Sequence, residues 1–472
     1  MLDGQIQTCN RSELQSLKQG VLSEARPQRC EDGGSEKIPV ETPFKNSPKL
    51  GVKNDCLTPP KKGLKSPLVH ITKSIHTFCP SNTLPSLVDT GFFDFKNAHE
   101  KIPFTAFGLD VFSDRFLLQT VAKKILERAS HPRGMTWKVC YCRRHLLSFV
   151  NQVDVMLSDE LKRAYFKNLM ACGSVWTCPV CAFNVTRGRK QEVDAAVNVH
   201  KAAGGFLYMI TYTFSHSSQN SLRGLLGDSN QVFGLRGALR RLRNSRKYKK
   251  LCESFGLVGL IRNLEVTHSY FNGWHPHIHE LWFCSRKITY LELREFKNQL
   301  FKLWYEACKQ SGLALPNRKY GLNVVEAHSP AEYLQKWGHE QKWGVGAELT
   351  RSHVKRSKDR IGLTPFDFLR RVTEGNHNSD YCARLFLEFA TEFYGARQCF
   401  WTKGLKQAFG IGEISDEEFA EREEQTVELI ATISKDIWKR VLCQSSDVRP
   451  VILKLAETGG KLAVEEFLAG LF

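Results

Sequence analysis

Three histidines alternate with other residues in His275-Pro276-His277-Ile278-His279. On an extended strand successive side chains point to opposite faces, so the three imidazoles share one face while Pro276 and Ile278 take the other. One buried neutral histidine is commonly a core residue with a hydrogen-bond partner. Three at ligand spacing are best served by a divalent cation that neutral imidazoles can share. They lie in GLVGLIRNLEVTHSYFNGWHPHIHELWFCS, where two apolar β-rich runs meet at Asn272-Gly273, a dipeptide that favours positive φ in tight turns. A hairpin centred there pairs residues whose numbers sum to about 545, which sets Glu265 opposite residue 279 or 280. Two histidines and a carboxylate leave coordination positions open for a substrate. A hard Mg²⁺ or Mn²⁺ there would polarise a phosphodiester oxygen, whereas iron held by the same trio would serve an oxygenase.

Arg318–Gly338 offers a second reactive group. The segment reads as a short strand through Val325, a connection and a helix. Ser329-Pro330-Ala331-Glu332 carries a helix start, with a Ser cap, Pro at the first position and Glu three after the cap. Tyr333 then falls in the first turn, where the positive end of the helix dipole and a nearby cation both favour phenolate. A tyrosine so placed is a candidate nucleophile for phosphoryl transfer, and Lys336, one turn on, could hold a phosphate oxygen or the phenolate. Glu332 has an ordinary role as the reciprocal cap, which leaves Glu326, at the end of the strand, freer to act.

The third cluster is made of sulfur. Cys178-Pro179-Val180-Cys181 is a Cys-x-x-Cys knuckle, Cys172 lies six residues upstream, and Cys140 and Cys142 offer a fourth ligand, of which Cys142 is chosen. Such spacing suits a closed, structural Zn²⁺ site. The 15 cysteines of the 472-residue chain are odd in number and the start MLDGQIQTCNRSELQSLKQG has no signal-peptide stretch, so a reducing compartment fits better than a disulfide framework.

Positioning these groups takes a chain of ordinary globular composition, 42% hydrophobic and 25% charged. Lys and Arg exceed Asp and Glu by 67 − 49 = 18, which favours polyanionic partners. Part of that charge is concentrated after a strand-like run at Gly204–His216. Eight Lys/Arg and no acid lie between Arg236 and Lys250, and Arg236, Arg240, Arg243, Lys247 and Lys250 recur every three or four residues as one helical stripe. That stripe is read as a phosphate-contacting surface. Between Pro43 and His76, five prolines and seven lysines accompany a single acid, Asp55, as in a basic tether. FLLQTVAKKILERA (Phe116–Ala129) has helical spacing, and no apolar run approaches the length of a membrane span.

Taken in order, these blocks resemble the motifs of the rolling-circle plasmid replication initiators, members of the HUH endonuclease superfamily. Ile210–His216 is similar to the first motif, Glu265-Val266-Thr267 with Gly273–His279 to the second, and Tyr333-Leu334-Gln335-Lys336-Trp337 to the third. Cys172–Cys181 and Leu363–Leu369 also resemble stretches of these proteins, so the likeness runs from about Cys140 to Ile411. The resemblance implies that His277 and His279 hold the divalent ion with Glu265 as third ligand. It also implies that Tyr333 attacks one strand of a double-strand origin, leaving a 5′-phosphotyrosyl link and a free 3′-hydroxyl, and that the displaced strand is later rejoined. The place four residues before the tyrosine, Glu in some relatives, is Ser329 here. Termination then falls to Glu326 or Glu332, or to Tyr333 of a second copy.

The implied fold is α+β: an antiparallel sheet of about five strands flanked by helices, with the histidine strand central. The expected organisation is a weakly ordered basic region over 1–103, a helical and cysteine-rich zinc module over 104–203, the nicking core over 204–345, its extension over 346–411 and a helical C-terminal region over 412–472. Expected partners are plasmid origin DNA, duplex and single-stranded, the host helicase and replication machinery, and a second copy of the chain. Bacterial cytosol is the expected place, with no membrane contact. The main rival is a non-catalytic, zinc-dependent origin-binding protein, which has no need to retain Glu265, His277, His279 and Tyr333 together.

Overall fold

The computed structural model describes residues 111–159, 162–227, 230–327, 362–375, 378–421 and 427–471. The basic tether, Ser329, Glu332, Tyr333 and Lys336 lie outside the described residues. Along the chain run α1 (Val111–Leu126), β1 (Gln152–Ser158), β2 (Arg163–Lys167), α2 (Pro179–Ala202), β3 (Phe206–Tyr212), α3 (Leu222–Leu226), α4 (Gly234–Asn244) and α5 (Arg246–Ser254). They are followed by β4 (Leu257–Ser269), β5 (Gly273–Cys284), α6 (Tyr290–Gln310), β6 (Leu322–Glu326), α7 (Pro365–Thr373), α8 (Ser379–Glu392) and β7 (Cys399–Trp401). The rest comprises α9 (Leu405–Ala408), α10 (Asp416–Glu421), β8 (Val427–Ser434), α11 (Lys435–Leu442) and α12 (Arg449–Gly470), the last interrupted at Gly460.

Five strands form an antiparallel sheet in the order β6-β3-β5-β4-β7, so the histidine strand β5 is central. One face carries Tyr208, Tyr212, Trp282 and Leu260 and is covered by α4–α6, with Phe255 stacked on Phe296 and Trp304 donating to the Thr213 carbonyl at 2.8 Å. The other face carries Leu207, Met209, Ile261, Leu281 and Phe283, packed against Val193, Ala196 and Val197 of α2 and Leu405. Period-2 alternation thus separates two cores, and the odd-numbered histidines of β5 fall on the α2 side.

The hairpin register differs from the expected one. Glu265 pairs with His277 and Ser269 with Gly273, so pair numbers sum to 542. Three residues, Tyr270–Asn272, form the loop, and Gly273 sits at φ +70° as the first residue of β5. A Cβ there would lie 2.8 Å from Ser218 Cα, so glycine is required on two counts.

The expected helical C-terminal region is corrected as well: Val427–Ser434 is a strand that joins β1 and β2 in a second sheet, ordered β2-β1-β8. The cysteine-rich segment and the C-terminal segment therefore share one sheet. A buried ion network ties them further, with Arg449 Nε donating to Asp447 Oδ1 at 2.8 Å and Arg449 Nη1 reaching Gln119 Oε1 of α1 at 2.9 Å. Burial opposes ionisation of Asp447, but the charge of Arg449 and its hydrogen bonds, then Arg144, hold its carboxyl below the ordinary value. A depressed folded-state value means the contribution is present above about pH 4 and fades as pH falls through that value. Asp447→Asn is expected to lower stability by about 3 kcal/mol at pH 7. Urea unfolding at pH 7 and pH 3 checks this, with the difference from wild type shrinking at the lower pH.

Candidate metal centre

On the α2 side of the large sheet, β4 and β5 set Glu265 directly across from His277 and diagonal to His279. Glu265 is buried, 6% exposed, and its Oε2 lies 3.3 Å from His277 Nε2 and 3.5 Å from His279 Nε2. The three ligand atoms lie within 4.8 Å of one another. The outer nitrogens are already engaged: His277 Nδ1 donates to the His275 carbonyl at 3.1 Å, and His279 Nδ1 shares a hydrogen bond with Thr211 Oγ1 at 2.9 Å. Both rings are therefore held through Nδ1 with Nε2 turned toward the carboxylate. Asn263, one pair along from Glu265, donates to Glu265 Oε1 at 3.0 Å and leaves Oε2 to the imidazoles. The donor set fits a divalent cation: two imidazole nitrogens, one carboxylate oxygen and supporting hydrogen bonds on each ligand.

The electrostatics keep Glu265 ionised. Burial opposes ionisation of Glu265, yet the charge of His279 and hydrogen bonds from His277 and His279 hold its carboxyl well below the ordinary range. His275 is pushed down to about 3 by burial, then by His277, His216 and His279. His275 meets His216, with Nδ1 2.6 Å from His216 Nε2, and His216 Nδ1 donates to the Asn272 carbonyl at 2.9 Å. That chain makes His275 Nδ1 the donor and leaves its Nε2 without a proton. The third histidine of the strand is thereby tied to the start of the β3–α3 connection rather than to Glu265.

Thr211, Asn263 and the His216–His275 pair are supports that the sequence motifs do not mark. Their signal is cross-strand position: Thr211, His279 and Asn263 form one row of the sheet. Removing the Thr211 hydroxyl in Thr211→Val is expected to weaken Mn²⁺ binding about tenfold, as titration calorimetry would read.

Other candidates are placed elsewhere. Glu326 pairs with Tyr208, three residues along β3 from Thr211, and so points to the opposite face from the trio. The structure does not bring it to Glu265, His277 and His279. Ser245 breaks the expected basic stripe by capping α5 with φ −65° and ψ 128°, giving two helices in place of one. Arg236 is half-buried and holds the Gly227 and Glu392 carbonyls at 2.8 and 3.2 Å. Arg243 lies over the Phe400 ring, while Arg240, Lys247 and Lys250 are exposed on the helix layer opposite the trio.

A second cluster joins Cys142, Cys172, Cys178 and Cys181, all at most 5% exposed. Sγ pairs stand at 3.4 Å (Cys142–Cys181), 3.6 Å (Cys142–Cys178) and 3.7 Å (Cys172–Cys181). A tetrahedral ion with bonds of about 2.3 Å separates its sulfurs by about 3.8 Å, so the cluster fits Zn²⁺. Cys178 caps α2, Cys181 lies in its first turn, and Gln119 of α1 donates to Cys178 Sγ at 3.2 Å. Burial disfavours the Cys178 thiolate, but hydrogen bonds from the other three thiols outweigh it and lower its pKa. Cys140, also buried, lies outside the four.

The chain is 26% identical over 296 residues to a protein named "Protein rep" from Streptomyces lividans, a match covering 52% of this chain and 64% of that relative. A "Neomycin resistance protein" from Streptomyces cyanogenus is 30% identical over 131 residues, covering 24% of this chain and 30% of the relative. The chain thus spans less than two thirds of the length of either. No family model matches the chain, and no solved structure matches it.

Proposed function

We propose that this chain is a plasmid replication initiator of the HUH type, which nicks one DNA strand at its origin and later rejoins it. The observation that carries the reading is the convergence of His277 and His279 Nε2 on Glu265 Oε2 at 3.3 and 3.5 Å on the central strands of the sheet. Similarity to a Rep-named protein and the excess of 18 positive charges support it. Glu265, His277 and His279 would hold a divalent ion, which when bound would supply positive charge to a non-bridging oxygen of the scissile phosphodiester and raise the electrophilicity of phosphorus.

The remaining chemistry belongs to the chain. Tyr333, having lost its phenolic proton to solvent, forms a new oxygen–phosphorus bond while the bond to the 3′-oxygen breaks, and that oxygen takes a proton from solvent to become the 3′-hydroxyl primer. Lys336 holds the phenolate or a phosphate oxygen. A later attack by a 3′-hydroxyl on the tyrosyl phosphate returns the phenol and closes the strand, so the bond energy is kept without ATP. Ala327, whose N–H donates to Leu207 O at 2.8 Å, lies on the trio's side of the sheet. Exposed Arg240, Lys247 and Lys250 contact duplex phosphates away from the reacting centre, and a host helicase extends the opening. The four-cysteine cluster holds a structural Zn²⁺ in the same account.

Incubation with supercoiled DNA bearing the protein's own origin tests this. With Mn²⁺ the wild type is expected to yield nicked circles, and either EDTA or Glu265→Ala should lower the rate by about 10³-fold. Origin binding without nicking under any divalent metal would overturn the enzymatic reading in favour of a binding protein.

A further inference from the structure

The hairpin of β4 and β5 ends in an aromatic tip. Its loop residues are Tyr270, Phe271 and Asn272, and Phe271 is 86% exposed. The backbone on both sides of that ring is braced. Asn272 N–H donates to Ser269 Oγ at 3.0 Å, and the Asn272 carbonyl accepts from His216 Nδ1 at 2.9 Å. His268 exchanges two backbone hydrogen bonds with Leu363, at 2.9 and 2.7 Å, and Gly273 is fixed at φ +70°. The neighbouring ring is held too: Tyr270 stacks on Tyr381 of α8 at 5.9 Å, with the Arg371 guanidinium of α7 5.7 Å from the Tyr270 ring centre.

Apolar residues scattered singly are ordinary on a surface, but Phe271 adjoins two further rings, Tyr270 and Tyr381, which are 39% and 36% exposed. At up to about 250 Å² per ring the three expose roughly 400 Å² between them, about half of the ~800 Å² that each partner buries in a stable protein dimer. The patch is too small for a second copy of the chain and suits flat rings laid on it one or two at a time. It is also joined to the candidate metal centre. His216, which holds Asn272, meets His275 at 2.6 Å, and the His275 ring stacks on His277 at 5.0 Å. From Gly273 to His277 the strand rises about 13 Å, the length of about four stacked nucleotides.

We propose that the hairpin tip is a stacking platform for single-stranded DNA, with the Phe271 ring against an unpaired base. The proposal rests on the nicking reading only for its place in the reaction, where the strand is the origin strand a few nucleotides from the scissile phosphate. Aromatic side chains take single strands of any sequence because every unpaired base has a π-face, and in a duplex those faces are already stacked. A ring on a braced loop loses little freedom when a base covers it. Arg371, beside Tyr270, brings a cation to a patch otherwise recognised through ring faces.

The test uses the full zinc-loaded chain without added Mg²⁺ or Mn²⁺, so that binding is read without strand transfer. The probes are a 20-nucleotide oligo-dT and a 20-base-pair duplex. Phe271→Ala is expected to weaken binding of the single strand about tenfold and to leave duplex affinity within about twofold of wild type. Phe271→Trp, which keeps a stacking face, should retain single-strand affinity. Phe149→Ala, which removes a ring that is 81% exposed just before β1, should change neither affinity. Origin nicking with Mn²⁺ is measured separately. Nicking by a wild type whose single-strand affinity is unchanged in Phe271→Ala would overturn the platform and leave the nicking reading standing. Selective loss of single-strand affinity in a chain that never nicks would sustain the platform and sink the nicking reading. Equal losses on single strand and duplex, or the same loss in Phe149→Ala, would also overturn the proposal. So would self-association of the wild type in sedimentation that Phe271→Ala abolishes with single-strand affinity intact, which would assign the tip to a contact between copies.

Discussion

Tyr333→Phe is expected to lower origin nicking by at least about 10⁴-fold, the scale on which enzymes lose activity when a covalent nucleophile is removed. The substitution deletes one oxygen and keeps the ring, so it removes the attacking atom while leaving the packing volume nearly unchanged. Mn²⁺ affinity should stay within about twofold of wild type, because the ligand set of Glu265, His277 and His279 is intact. Rates of nicked-circle formation, with calorimetric metal binding alongside, separate loss of the nucleophile from loss of the ion. Wild-type nicking by the variant would assign the chemistry to another residue.

The second large effect concerns the cysteine cluster. Cys178→Ser is expected to destabilise the unit built on β1, β2 and β8 by at least about 4 kcal/mol, since the energy of a structural metal is largely folding energy. Cys178 is central to the cluster: it caps α2, receives the Gln119 amide at 3.2 Å and lies 3.6 Å from Cys142 Sγ. Because β8 closes the same sheet, loss of the ion should loosen the C-terminal segment along with the cysteine loops. Metal analysis should find zinc in the wild type and a deficit in the variant, with hydrogen exchange rising across 142–181 and 427–434. Full stability without bound zinc would show the four thiols to be ordinary core.

How much of this was legible in the residues depended on range. The trio could be read because its geometry is local: alternation places His277 and His279 on one face, and a hairpin must bring β4 beside β5. The register could not, since it is decided by loop length, and Tyr270–Asn272 with Gly273 at φ +70° shifts the pairing from a sum of 545 to 542. Glu265 meets the imidazoles because the observed even sum pairs it with His277; an odd sum would have paired it with Glu280 and turned it to the other face. The strand at Val427–Ser434 was hidden by the acidic helix before it and by a partner strand some 270 residues earlier, a non-local pairing with no local trace. Glu326 looked available at a strand end, but the parity of its pairing with Tyr208 sends it to the other face. In the basic helices, one Ser245 cap divided a periodicity that the charges alone made continuous.

The most direct measurement of the central claim is mass spectrometry of the covalent adduct formed when the full chain is incubated with Mn²⁺ and a single-stranded oligonucleotide spanning its origin. The expected product is a 5′-phosphorylated nucleotide attached to the phenolic oxygen of Tyr333, with an equal amount of free 3′-hydroxyl on the released fragment. Cleavage with no covalent adduct, or an adduct on a different tyrosine such as the exposed Tyr320, would contradict it.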